Sequence, residues 1–302
     1  MTGRNSRQTR SERGLDHDLF EFRTLRDAAE FNLPDGGSVA VAICLVLQDF
    51  SLAGQPPFPV PGALSRPYPD IGNFSQRQVG TTDGLWRLVD AIERQAVCVS
   101  FVAEQAVLPK ITEVHPVMRD ERHAVVASGR DATSLITPAT LPEVEAAIVR
   151  DGISSVQEVL GRTPIGWRSP YCSQSPQTVE LLAEAGIRYT GDFSNDDRPY
   201  RIRTSSGPLL AMPMNHFFSD LNLIHTCRQT ETEFFETLLR AARWLAAEST
   251  PAAPRVLPVV LHPWLSGTPH RIGMFESWLA KIGEMSEVRF VSTDALFRMH
   301  AS

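Results

Sequence analysis

Val256-Leu257-Pro258-Val259-Val260-Leu261-His262-Pro263-Trp264 is the stretch that decides the fold of this 302-residue chain. Its first six residues are apolar and three of them are valine, the pattern of a short strand buried on both faces. The run ends on an imidazole, His262. Pro263 stops the strand there, because proline has no backbone N–H to add to a ladder. The same arrangement repeats outward from this point. Val39–Leu47 is a continuous apolar run, entered from Asp35-Gly36-Gly37 and followed by Gln48 and Asp49. Further short strands are expected at residues 98–102, 123–127, 166–168, 189–192, 209–212 and 288–291.

Helical patterns fill the gaps. Residues 82–94 put Leu85, Leu88, Val89 and Ile92 on one face. Residues 176–185 end at Gly186, and shorter helices are expected at 274–285 and 294–299. Two capping boxes, Thr140-Leu141-Pro142-Glu143 and Thr230-Glu231-Thr232-Glu233, open helices running to about residues 160 and 247. Strands alternating with helices imply a mostly parallel sheet. Closed on itself, such a sheet is a barrel whose reactive groups sit at the C-terminal strand ends. Gln48, Asp49, Ser128 to Asp131, Arg168, Asp192 and His262 all fall at those ends.

Composition fits one enzyme domain. A chain with 42% hydrophobic residues buries a large core, and barrels of this length are commonly single domains. Residues 1–20, polar and arginine-rich at their start, read as a disordered N-terminal segment, and residues 21–302 as the barrel domain. The N-terminus has no apolar core of the kind a secretory signal needs. A net charge of −6 argues against nucleic acid and anionic membrane as partners, and no apolar run is long enough to span a bilayer. Cys44, Cys98, Cys172 and Cys227 are scattered, with no C-x-x-C pair, which fits free thiols in a reducing cytoplasm. The expected partner is a small-molecule substrate, with homo-oligomer formation left open. G-x-G-x-x-G, G-x-x-x-x-G-K and G-x-S-x-G are all missing, so no bound cofactor is expected.

Several stretches carry a resemblance. His123-Ala124-Val125-Val126-Ala127-Ser128-Gly129-Arg130-Asp131-Ala132 resembles the H-E-I-x-x-H-G-x-x-H motif of the polysaccharide deacetylase superfamily. His262 to Ile272 is similar to the late H-P-x-x-x-G-x-P-H-R segment of its allantoinase-like branch. Gly166-Trp167-Arg168-Ser169-Pro170-Tyr171 resembles the G-W-R-x-P motif. Asp192 to Tyr200 resembles D-W-x-N-D-D-x-P-Y. Tyr68-Pro69-Asp70, with Gly80 and Leu85-Trp86-Arg87-Leu88, resembles the opening of the first helix. The pieces fall in family order over nearly the whole chain. They imply an α/β fold, a deformed (β/α) barrel of the polysaccharide deacetylase type, in a single domain.

The same motifs contain a conspicuous loss. The superfamily's second and third histidines ligate a divalent metal, and here those positions hold Ser128 and Ala132. A hydroxymethyl and a methyl cannot replace two imidazoles, so no metal site is expected. Branch residues of R-E-Y-G-x-R-x-G are also replaced across Arg77 to Gly84, including the glutamate, the tyrosine and the second arginine. What is kept is Trp86, Trp167, Trp264, Arg168 and His262.

The catalytic candidates are His262, Asp49 and Arg168. A neutral His262 at a strand end suits proton transfer near neutrality, and the resemblance implies a catalytic acid there. A structural histidine bonded to a backbone carbonyl is the plainer alternative. Arg168 suits a substrate carbonyl or carboxylate. Its alternative is an ion pair with Asp196 or Asp197. Asp49 neighbours Phe50, which occupies the place of a branch glutamate, but adjacent strand residues face opposite ways. Substrate contacts are expected from Ser128, Trp167, Tyr171, Asp192, Asp196, His216, Asp220 and Trp264, with His216 or Asp220 as a replacement acid or base. Cys172, beside Tyr171, reads as a packed thiol.

Three functions follow. The first is a metal-independent hydrolase acting on a C–N bond of a small amide, cyclic amide or imide. Here His262 and a carboxylate place water beside a carbonyl held by Arg168. The second is a non-hydrolytic enzyme of specialised metabolism performing cyclisation, elimination or isomerisation on the same scaffold. The third is a catalytically silent binding protein.

Overall fold

The computed structural model describes residues 17–27, 31–56 and 67–301. Nine strands follow in order: β1 Val39–Leu47, β2 Ser100–Ala103, β3 Ala124–Ala127, β4 Gly166–Trp167, β5 Tyr189–Thr190, β6 Tyr200–Ile202, β7 Leu209–Ala211, β8 Arg255–Leu261 and β9 Val288–Phe290. The sheet runs β6-β7-β5-β4-β3-β2-β1-β8, with β9 beside the first half of β1. Every pairing is parallel except β6 with β7. The sheet curls until its edges meet. Val256 N–H donates to Asp197 O (2.9 Å), Val260 N–H donates to Phe218 O (3.3 Å), and Ser219 bridges Val260. The result is the expected deformed (β/α) barrel in one domain.

The strands alternate between two buried faces. Along β1, Ala40, Ala42, Cys44 and Val46 pack inside the barrel, while Val39, Val41, Ile43, Leu45 and Leu47 pack outward under the helices. Successive side chains point to opposite faces, so this register continues past the strand end. Two residues beyond Val46 is Gln48. By the same count Val102 leads to Glu104, Val126 to Ser128 and Val260 to His262. Arg168 lies two residues past Gly166, the β4 residue packed against the inward Tyr189 ring.

Among the described residues nine α-helices pack around the sheet: α1 Ile71–Val79, α2 Leu85–Arg94, α3 His115–Arg119, α4 Pro142–Leu160, α5 Thr178–Glu184, α6 Glu231–Glu248, α7 Pro263–Ser266, α8 Pro269–Gly283 and α9 Thr293–Ala301. The Thr230 capping box forms in both directions. The Thr140 box does not. Thr140 Oγ1 accepts from Thr137 N–H, and Leu141 stands at the cap without a side-chain bond. A π-turn, Gly80–Gly84, joins α1 to α2 against the backbone of α7. A Cβ on Gly84 would collide with the Pro263 carbonyl oxygen, and one on Gly80 with the Trp264 backbone, so this close approach requires glycine.

Of the segment expected to be disordered, residues 1–16 lie outside the described residues. Its end is placed against β6. Arg203 N–H donates to Leu19 O, and the Phe20 ring meets Tyr200 and Phe193 edge-on. No helix among the described residues is long and apolar enough to cross a membrane.

Candidate active site

The strand register brings Gln48, Arg168 and His262 to one mouth, where they line a cavity of about 220 Å³ with Tyr171, Cys172 and His216. Val46 and Leu221 give it an apolar side. A second π-turn, Leu221–Thr226, forms part of the wall, a helical irregularity common at functional sites.

His262 is held at two points by one carboxylate, which Ser266 steadies. Asp220, fully buried, accepts from His262 Nδ1–H (2.6 Å), from the His262 backbone N–H (2.7 Å) and from Ser266 Oγ–H (2.6 Å). The Ser219–Val260 bridge explains the placement, because it carries Asp220 alongside the end of β8. The amide of His262, left without a ladder partner, then bonds to the side chain instead of to a strand. With Nδ1–H committed to Asp220, Nε2 is the ring nitrogen left to accept a proton from the cavity.

Gln48 is fixed at both ends of its amide. Trp264 Nε1–H donates to Gln48 Oε1, and Gln48 Nε2–H donates to Tyr171 Oη, each at 3.1 Å. Tyr171 and Cys172 both lie in the left-handed backbone region, at φ 54° and 56°. Such strain in non-glycine residues persists where surrounding structure enforces it and clusters at functional sites. Here it turns both side chains into the cavity. Burial raises the Cys172 thiol above its ordinary pKa, and the nearby Arg168 charge only partly offsets this. The thiol is therefore held protonated and is not poised as a nucleophile.

Arg168 is 4% exposed. Its Nε–H donates to Met214 O (3.3 Å), and its own carbonyl accepts from Ser128 Oγ–H (2.7 Å). Asp196 and Asp197, its alternative partners, pair elsewhere: Asp196 with Arg198 (3.0 Å) and Asp197 with Arg255 (3.7 Å). Arg198 also donates to the backbone carbonyls of Thr24 and Asp27. Asp196 is thus part of a clamp on residues 24–27, away from the cavity.

Three other expected site residues fall on the outward register. Asp49 does not line the cavity; its carboxylate meets Lys110 Nζ at 2.6 Å. The reason is the alternation itself, which sends Gln48 inward and Asp49 out. Trp167 is fully buried over Gly152, with its Nε1–H donating to Ser169 Oγ. Asp192 accepts from Ser169 N–H and Oγ–H, both at 2.8 Å, so it ties the ends of β4 and β5 together. Burial pushes its carboxyl up to about 6. Trp264 reaches the site through Gln48, while its ring and that of Phe50 flank the Arg77 guanidinium at 5.7 and 5.0 Å. His216 is at the exposed rim.

Glu104 was not anticipated. It is buried at the end of β2, where Oε2 accepts from Asp49 N–H (2.8 Å). Burial, reinforced by Asp131 and Asp49, holds its carboxyl well above the ordinary carboxylate range. Counting two residues on from Val102 is the signal that finds it.

The residues present do not fit the superfamily's metal. Ser128 is turned to the Arg168 carbonyl, Ala132 is a buried methyl, and Asp49 is paired with a lysine. Among the described residues no three His, Cys, Asp or Glu side chains are grouped to hold an ion.

Comparison of sequences finds no matching family model and no matching curated protein. Comparison of structures finds clear likenesses. Puue allantoinase aligns with a TM-score of 0.84 at 20% identity, over 95% of this chain and 98% of its own. A probable polysaccharide deacetylase from Pseudomonas aeruginosa PAO1 aligns at 0.79 and 22% identity, over 88% and 92%. A putative polysaccharide deacetylase from Mycobacterium smegmatis aligns at 0.72 and 22%, over 92% and 96%. The chain therefore has the polysaccharide deacetylase fold, in a form it shares over nearly its whole length with an allantoinase.

Proposed function

We propose that the protein is a hydrolase acting on a C–N bond of a small amide, cyclic amide or imide, with His262 as its proton-transfer group and no protein-bound metal. The observation that carries this reading is the Asp220–His262 pair at the cavity wall. Asp220 fixes the tautomer that leaves Nε2 free to take a proton, and its charge stabilises the imidazolium that results. His262 removes a proton from water as the water oxygen bonds to the carbonyl carbon. The imidazolium then returns that proton to the nitrogen as the C–N bond breaks. The fold likeness to an allantoinase and the missing donor set support the same reading. The buried Arg168 guanidinium holds an oxygen of the substrate.

The non-hydrolytic alternative uses the same base on a C–H bond, favoured by the lack of a cage that would activate water. Turnover of a panel of small cyclic amides and imides in ¹⁸O-water, after exhaustive chelation, separates the two. Chelator-resistant opening that places one ¹⁸O in the product supports hydrolysis. Turnover without ¹⁸O moves the assignment to the alternative. Activity abolished by chelation and rescued by zinc overturns the metal-free mechanism.

A further inference from the structure

Arg168 is 4% exposed, and its hydrogen bonds to protein go to neutral groups, from Nε to the Met214 carbonyl and to the Cys172 side chain. Among the described residues no carboxylate lies within 4.0 Å of its guanidinium. Asp192, whose charge it does feel, has both oxygens committed to Ser169. The cavity that Arg168 lines holds His262 and His216 but no acidic side chain. Burying an uncompensated guanidinium is strongly unfavourable, so such groups are ordinarily paired. Here the Asp192 charge acts from outside the cavity, and an anionic group of the ligand would supply the counter-ion that the cavity wall lacks.

We infer that the substrate carries a carboxylate, bound by the two Nη groups of Arg168, at the end of the molecule opposite the bond that His262 acts on. This rests on the reading of the cavity as the substrate site. A planar guanidinium with Nε already engaged presents its remaining N–H groups as a fork that matches two carboxylate oxygens. Arg168 follows β4 and His262 follows β8, so the two groups come from separate parts of the sheet onto one cavity. The substrate class is narrowed to a small amide, cyclic amide or imide bearing a free acid.

Acetate and acetamide test this, because they have the same shape and differ in charge. Titrated at constant ionic strength and followed by NMR, acetate should bind wild type at least about tenfold more tightly than acetamide. Arg168→Met should abolish the preference, and Arg168→Lys, which keeps the charge but not the fork, should weaken it. His262→Asn should leave it intact, so loss of the carboxylate site and loss of the catalytic reading are told apart. Equal binding of the two probes, or an acetate preference that survives Arg168→Met, overturns the inference.

Discussion

Replacing Asp220 by asparagine is a small change in shape with a large expected effect on proton transfer. The carboxylate accepts three hydrogen bonds, at 2.6, 2.7 and 2.6 Å, and is fully buried. An asparagine oxygen can still accept, but the amide nitrogen then confronts one of three donors. The arrangement that relieves this conflict has Nδ2–H donating to His262 Nδ1, which moves the ring proton to Nε2. The imidazole would then offer the cavity a donor where a base is needed. A histidine locked in the wrong tautomer costs on the order of 10²- to 10⁴-fold in turnover, or roughly 3–5 kcal/mol of barrier. Stability should fall by about 2 kcal/mol, since charge-assisted hydrogen bonds are exchanged for weaker ones while a buried charge is removed. Steady-state kinetics and thermal melts give both quantities. The expected pattern is a fall in kcat with little change in KM. Asp220→Asn combined with His262→Asn should be hardly slower than His262→Asn alone, because the two act as one unit. Full turnover by Asp220→Asn with a normal melt would refute the role of the pair.

Much of the barrel is legible in the sequence because its longest strands, Val39–Leu47 and Arg255–Leu261, are buried on both faces and read as unbroken apolar runs. His262 is legible for the same reason, standing at the end of such a run. Less of the site is. Asp220 is among the residues expected at the site, but its contact with His262 spans 42 residues, and no local pattern singles it out from Asp49 or Asp192 as the partner carboxylate. Asp49 has the carboxylate that acid–base chemistry asks for, but two-residue alternation from Val46 points to Gln48. The strand Tyr200–Ile202 is missed because it is a three-residue antiparallel edge with an exposed centre. The helix Ile71–Val79 is missed because it is mostly polar, although Asp70 caps it by accepting from Asn73 N–H.

Three further outcomes follow from the packing and the charges. Gly84→Ala should lower stability by about 3 kcal/mol, since the new methyl overlaps the Pro263 carbonyl; an unchanged melting temperature would contradict the packing of the π-turn on α7. Burial raises Asp192 from its ordinary 3.8 to about 6, so the native state holds this proton more tightly than the unfolded chain. Its contribution to stability is therefore lost as pH rises through that window, by up to about 3 kcal/mol. Asp192→Asn should remove that slope, and denaturant titrations showing a constant difference from wild type between pH 4 and 6 would count against it. Ser128→Ala should cost about 1 kcal/mol through the lost bond to the Arg168 carbonyl, with kcat nearly unchanged; a dead but folded Ser128→Ala would move the catalytic centre to that segment.

The most direct test of the account is the turnover of His262→Asn beside that of wild type, both stripped of metal, on a substrate the wild type opens. Asparagine keeps a polar group beside Asp220 and removes the ring nitrogen that accepts the proton, so the variant should fold. A kcat lower by roughly 10²-fold or more, with wild type unaffected by chelation, is the predicted result. Full activity in His262→Asn, or a wild type that works only with added metal, would contradict it.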